Sequence, residues 1–191
     1  MCSMAIQYKH SNVYPMYYLT CTCYPWIPLF ELTDSYDSVY RWFDYLQNKK
    51  IARVVAYVIM ANHFHGILYF IQEKFDLNKI VSNAKRFMAY QIIQRQKATG
   101  RIDLLEYLSA GLTERELSKK QRHRVFENSF DAKPIFSESF LHQKLDYIHY
   151  NPVSGKWNLA EDYVQYEHSS ASFYELDKVI HFKPTHYNDL Q

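Results

Sequence analysis

The chain predicts an α+β fold, a ferredoxin-like antiparallel sheet with helices packed on it, and three observations carry that prediction. β-forming runs and helical periods follow one another as strand, helix, strand, strand, helix, strand, helix, with short connections inside the pairs. The two central runs, Ile51 to Ile59 and His63 to Phe70, are apolar and separated by a tight turn around Ala61-Asn62, as an antiparallel pair requires. A composition of 48% hydrophobic residues with only 4 Gly and 6 Pro in 191 residues is that of a globular chain, and its length suits one domain over 1–191.

Each element has a local reason. Tyr17 to Tyr24 is rich in β-formers and stops at Pro25, which gives a first strand. Thr33-Asp34-Ser35 offers caps for a helix running to about Lys49, whose Val39, Trp42, Phe43 and Leu46 recur at helical spacing. Asp76 or Asn78 caps a long second helix with an apolar stripe of Ile80, Ala84, Phe87, Met88 and Ile92, ending near Gly100. Residues 101–124 read as a helical insertion, polar and charged at its end, with a capping box from Thr113 to Glu116. Val125 to Phe136 contains another strand, broken by Pro134. Ser137 or Ser139 caps a last helix with Phe140, Leu141, Leu145 and Ile148 as core contacts, and Pro152 ends it near Asn151 by disfavouring α geometry there. The tail, 153–191, carries Trp157, Tyr163, Tyr166, Phe173 and Tyr174, aromatics expected to pack back on the domain.

Several function classes fall away on composition. No apolar run reaches the roughly 18 residues of a membrane span. Met1 to Pro15 lacks the basic start and apolar core of a secretion signal, so a cytoplasmic location is expected. Cys2, Cys21 and Cys23 are too few and too clustered for a disulfide framework and read as reduced thiols. A net charge of +2 and a pI of about 8.3 permit a polyanionic partner without demanding one. The 18 Tyr and 12 Phe suit stacking on unpaired bases as well as filling a core. The chain contains no Gly-rich phosphate loop, no Cys-x-x-Cys pair and no convincing Ser/His/Asp set.

Chemistry concentrates in two stretches. In Asn62-His63-Phe64-His65 the two histidines stand at i and i+2, so strand alternation points both imidazoles at one spot. Such a pair can hold a divalent cation, or can serve packing and hydrogen bonding. In Leu145-Asp146-Tyr147-Ile148-His149-Tyr150-Asn151-Pro152, Tyr147 and Asn151 lie one helical turn apart on the same face. His149 leans to the core side, and Tyr150 either flanks the site or stacks a base. The Lys and Arg residues between Arg115 and Arg124, including Arg122 and Arg124, form either a phosphate-binding surface or an ordinary solvated face.

Together, Met60-Ala61-Asn62-His63-Phe64-His65 and the Tyr147 stretch resemble the single-tyrosine HUH transposases of bacterial insertion sequences, most closely the REP-associated tyrosine transposases. The resemblance runs from about Tyr17 to Tyr174 and includes the weaker echoes Gly155-Lys156-Trp157 and His168-Ser169-Ser170-Ala171. Ala61 departs from it, since that family usually has proline before its Asn-His-x-His. The resemblance implies an HUH transposase-like fold and a DNA transposase that cleaves and rejoins single-stranded or hairpin DNA, at hairpin-bearing ends. Tyr147 would be the nucleophile, forming a 5′-phosphotyrosine, with His63, His65 and Asn151 holding Mg²⁺ or Mn²⁺. It also implies that Lys85 and Arg86 lie close to the bound strand. A catalytically inactive, domesticated DNA-binding regulator on the same fold is the main rival, and a metal-dependent hydrolase using water is a third reading. Monomer and homodimer are both open.

Overall fold

Four strands, β1 (Met16–Thr22), β2 (Ala52–Ile59), β3 (His63–Phe70) and β4 (Asp131–Pro134), build an antiparallel sheet in the order β2-β3-β1-β4. The computed structural model describes residues 14–155 and 157–190. Cys2, most of the N-terminal segment and Lys156 of the Gly155-Lys156-Trp157 echo lie outside them. The helices are α1 (Leu29–Leu32), α2 (Tyr36–Asn48), α3 (Leu77–Ala98), α4 (Ile102–Ala110), α5 (Glu114–Ser118), α6 (Glu138–Tyr150) and α7 (Ala171–Leu176). Among the described residues no helix is long and apolar enough to cross a membrane. This is the predicted ferredoxin-like α+β arrangement, with the edge strand β4 supplied after the insertion.

Strand alternation divides the interior into two layers. Tyr17, Leu19, Cys21, Val54, Tyr57, Ile59, Phe64 and Leu68 face α2 and α3, where they meet Val39, Phe43, Leu46, Val81, Met88 and Ile92. Tyr18, Val55, Val58 and Ile67 face the opposite way, against Leu141, Leu145 and Ile148 of α6. A β-bulge between Val54 and Ala56 resets the β2–β3 register, which lets Val55 and Ala56 both join the α6 layer. Cys21 and Cys23 are buried free thiols in the α2/α3 layer, and burial pushes the Cys21 thiol up to about 12, so both are packing groups.

The caps follow the sequence in part. Asp76 accepts from Lys79 N, Ser137 accepts from Phe140 N, and the Thr113–Glu116 capping box forms in full. Ser35 sits at the N-cap of α2 but makes no side-chain cap bond: its φ −114° and ψ 22° fall outside the extended geometry of the other caps, and its Oγ lies 2.7 Å from the Thr33 hydroxyl.

Three expectations need correction. The buried stripe of α3 is Leu77, Val81, Ala84, Met88, Ile92 and Gln96, so Phe87, about 100° from Met88, faces solvent. Of the 125–136 segment only Asp131–Pro134 forms a full strand, with Pro134 as its last residue; before it Phe126 makes a single antiparallel bridge to Cys23, and the carbonyls of Glu127, Asn128 and Ser129 accept from the Lys85 ammonium instead of from a strand. Pro152 does not force Asn151 out of α geometry. Asn151 has φ −54° and ψ −43°, and the chain runs on as a 3₁₀ turn, Asn151–Val153, in which proline's missing N–H costs nothing.

The aromatic tail packs back as expected. Tyr166 donates to the Ile59 carbonyl at 2.8 Å and Tyr174 to the Val55 carbonyl at 3.0 Å, which fastens the tail along the outer edge of β2. The insertion is anchored where Gly111 meets the Tyr24 ring; a Cβ there would lie 2.5 Å from a ring carbon, so only glycine fits.

Candidate active site

His63 and His65 project from β3 into the α6 layer with ring centroids 4.7 Å apart. The tautomer of His63 follows from its neighbours. Asn62 donates through Nδ2 to the Trp26 carbonyl at 2.9 Å, which turns its Oδ1 toward His63 Nδ1 at 2.7 Å. An amide oxygen only accepts, so His63 carries its proton on Nδ1 and leaves Nε2 with a lone pair. His65 Nδ1 lies 2.7 Å from the Tyr18 hydroxyl and 2.9 Å from Thr20 Oγ1. Thr20 donates to Tyr18 at 3.3 Å, and we assign His65 the Nδ1–H tautomer, in which the Thr20 oxygen accepts from that N–H. That leaves His65 Nε2, a buried nitrogen with no hydrogen-bond partner.

A buried imidazole nitrogen without a partner is costly unless something occupies its lone pair. Burial holds both rings neutral at pH 7: it lowers His63 to about 4 and His65 well below the imidazole range, with His63 and Lys144 adding to the depression of His65. Two neutral imidazoles, each tethered through Nδ1 and open at Nε2, are the form that ligates a divalent cation. Among the described residues no three His, Cys, Asp or Glu side chains gather around one point, so any third protein ligand comes from another side-chain type.

The α6 face closes the site. Tyr147 is 49% exposed, and its ring meets His65 edge-on at 5.2 Å and Tyr18 at 6.1 Å. Because Asn151 keeps helical dihedrals, its side chain stays one turn beyond Tyr147 on the same stripe, and it is buried. Trp157 covers His63 from the tail, with centroids 5.7 Å apart. The structure therefore brings Tyr147, His63 and His65 into one cluster, with Asn151 one turn further along the helix from Tyr147.

The predicted basic residues divide into two pairs. Lys85 and Arg124 turn inward: Lys85 serves the three carbonyls named above, while Arg124 pairs with Glu127 at 3.1 Å and with Glu116 at 3.8 Å and stacks over the Tyr24 ring at 3.7 Å. Arg86 and Arg122 are exposed. His149 is buried and bonded to Ser170 Oγ at 3.0 Å, a structural role, and Tyr150 packs on Tyr163 at 4.2 Å. Sequence reasoning missed Tyr18 and Thr20, which orient His65, and Lys144, whose ammonium lies 5.5 Å from the Tyr147 ring centroid. The signals were available: Tyr18 and Thr20 alternate with the core residues of β1, and Lys144 precedes Tyr147 by three.

No protein-family model and no curated protein matches the chain by sequence. A solved structure does match it: the REP-associated tyrosine transposase bound to a REP hairpin, with a TM-score of 0.60 over 94% of this chain and 92% of that one, at 15% identity. The chain has the tyrosine-transposase fold. Within that fold it places a tyrosine-bearing helix, α6, across the two-histidine strand β3, with no large segment of either chain left over.

Proposed function

We propose that the protein is a DNA strand-transferase that cleaves and rejoins single-stranded DNA at hairpin-bearing ends, with Tyr147 as nucleophile. One observation carries the reading: a half-exposed tyrosine stands against an imidazole whose buried Nε2 has no partner, on a fold shared with a tyrosine transposase. The hairpin bound by that neighbour supports hairpin DNA as the substrate class here.

His63 Nε2, His65 Nε2 and the Asn151 carboxamide would hold the Mg²⁺ or Mn²⁺. When bound, such an ion polarises the scissile phosphate and offsets charge on the leaving oxygen. Tyr147 Oη attacks phosphorus while the bond to the 3′ oxygen of the departing strand breaks. The released 3′ oxygen takes up a proton as the phenol loses one, so the step exchanges one phosphodiester for another and the energy for rejoining is kept in the 5′-phosphotyrosine. Tyr18 and Thr20 hold the His65 ring, and Tyr18, buried where Tyr147 is half-exposed, is out of reach of a DNA strand. Exposed Arg86 and Arg122 would contact phosphates further along the strand.

The test is incubation with a labelled hairpin DNA bearing single-stranded flanks and Mn²⁺, followed by denaturing electrophoresis. The expected outcome is a protein–DNA adduct mapping to the Tyr147 peptide, absent from Tyr147→Phe and from His63→Ala or His65→Ala. Cleavage that survives Tyr147→Phe without an adduct would establish a water-using hydrolase instead. Tight binding with neither cleavage nor adduct would establish the DNA-binding regulator.

A further inference from the structure

The α6 stripe that carries Tyr147 and Asn151 continues backward through Lys144 to Phe140, four residues that share one helix face. At its N-terminal end the stripe meets Phe136, which is 65% exposed and lies nearly parallel to Phe140, with centroids 5.2 Å apart and planes at 13°. Tyr14 borders Phe136 at 6.5 Å. Lys144 stands between this aromatic surface and the active site, its ammonium 5.2 Å from the Phe140 ring, 4.9 Å from Tyr18 and 5.5 Å from Tyr147. No carboxylate forms an ion pair with it among the described residues.

An exposed phenylalanine in a near-parallel pair presents a flat apolar face, and a neighbouring cation not held in an ion pair makes that face suited to an anionic, aromatic ligand. Unpaired DNA is such a ligand: its bases stack on aromatic side chains whatever their identity, and its phosphates seek isolated cations. The surface is continuous with Tyr147, the group that must receive a scissile phosphate under the reading above, on which this inference rests. We infer that Phe136 and Phe140 form a base-stacking platform for the unpaired strand, and that Lys144 takes the phosphate between that platform and Tyr147. The strand then enters the site along α6, fixed in register before it reaches the nucleophile.

Binding of a fluorescent oligo(dT) and of an all-abasic oligomer of the same length, in the absence of divalent metal, tests the proposal without any cleavage. Phe136→Ala should weaken oligo(dT) binding by about 5- to 100-fold and leave the abasic oligomer unchanged. Lys144→Ala should weaken both ligands alike and reduce the salt-dependence slope by about 0.7, the change expected when one phosphate fewer is neutralised on a single strand. The exposure of Phe136 makes it a variant that keeps the fold, which an unchanged thermal midpoint verifies. An unchanged oligo(dT) affinity in Phe136→Ala, or equal weakening of both oligomers, would overturn the platform, and an unchanged slope in Lys144→Ala would overturn the role of Lys144 at the phosphate. Neither result touches the adduct at Tyr147, so failure here is distinguishable from failure of the proposed function.

Discussion

The two faces of the sheet are made by the same strands, yet they are different materials. Toward α2 and α3 the layer is interlocked and rich in aromatics, with Phe64 edge-on to Phe30 at 6.3 Å and packed on Trp42 and Phe43. Toward α6 the layer is apolar only along Val55, Val58 and Ile67, and at its β3 start it turns polar with His63, His65, Tyr18 and Thr20. Phe64 and His65 are adjacent in the chain and point to opposite layers. One residue step thus separates a ring packed among aromatics from an imidazole whose buried Nε2 has no partner, a cost that Phe64 does not bear.

The sharpest way to break this comparison is to truncate the two neighbours in turn. Phe64→Ala should lower unfolding free energy by about 3–5 kcal/mol, read from urea midpoints, because it opens a cavity in the aromatic layer. His65→Ala should cost less than half of that while removing Mn²⁺ binding and cleavage. Equal destabilisation by both would show that the α6 layer is ordinary core.

A smaller effect comes from the tether. Tyr18→Phe removes one of the two oxygens that hold His65 Nδ1, and should weaken Mn²⁺ affinity by about 10- to 100-fold, measured by titration calorimetry, with the thermal midpoint little changed. An unaltered affinity would mean that the ring is held by packing alone.

The smallest expected effect lies away from the site. His168 stacks on Tyr36 at 3.8 Å and shares a hydrogen bond of 2.9 Å with the Tyr40 hydroxyl through Nδ1; burial lowers it to about 4, with Glu167 and Asp34 opposing and His181 reinforcing that shift. Its unfolded pKa is near 6.5, so the unfolded chain binds more protons between about pH 6.5 and pH 4, and stability falls as pH drops through that window. His168→Phe should make the stability–pH slope there shallower by up to one proton. A slope identical to the parent's would show that His168 is protonated in the folded protein.

Much of this was written in local spacing. A period of two placed His63 and His65 together and Phe64 apart from them, and a period of 3.6 placed Tyr147 and Asn151 on one stripe, because each period is fixed by the geometry of a single element. The element order and the short β2–β3 turn were equally local, and they determined the sheet. The tertiary structure alone decided what each stripe would face. That the α6 stripe meets β3, that His65 Nε2 is left without a partner, and that Lys85 and Arg124 serve carbonyls and carboxylates of the 116–129 region all depend on docking between segments far apart in the chain. Phe87 shows the same limit in one residue: spacing admitted both it and Met88 to the buried stripe of α3, and packing kept only Met88. Periodicity states which side of its own helix or strand a side chain takes, and only the packed neighbour determines whether that side is core, solvent or a site.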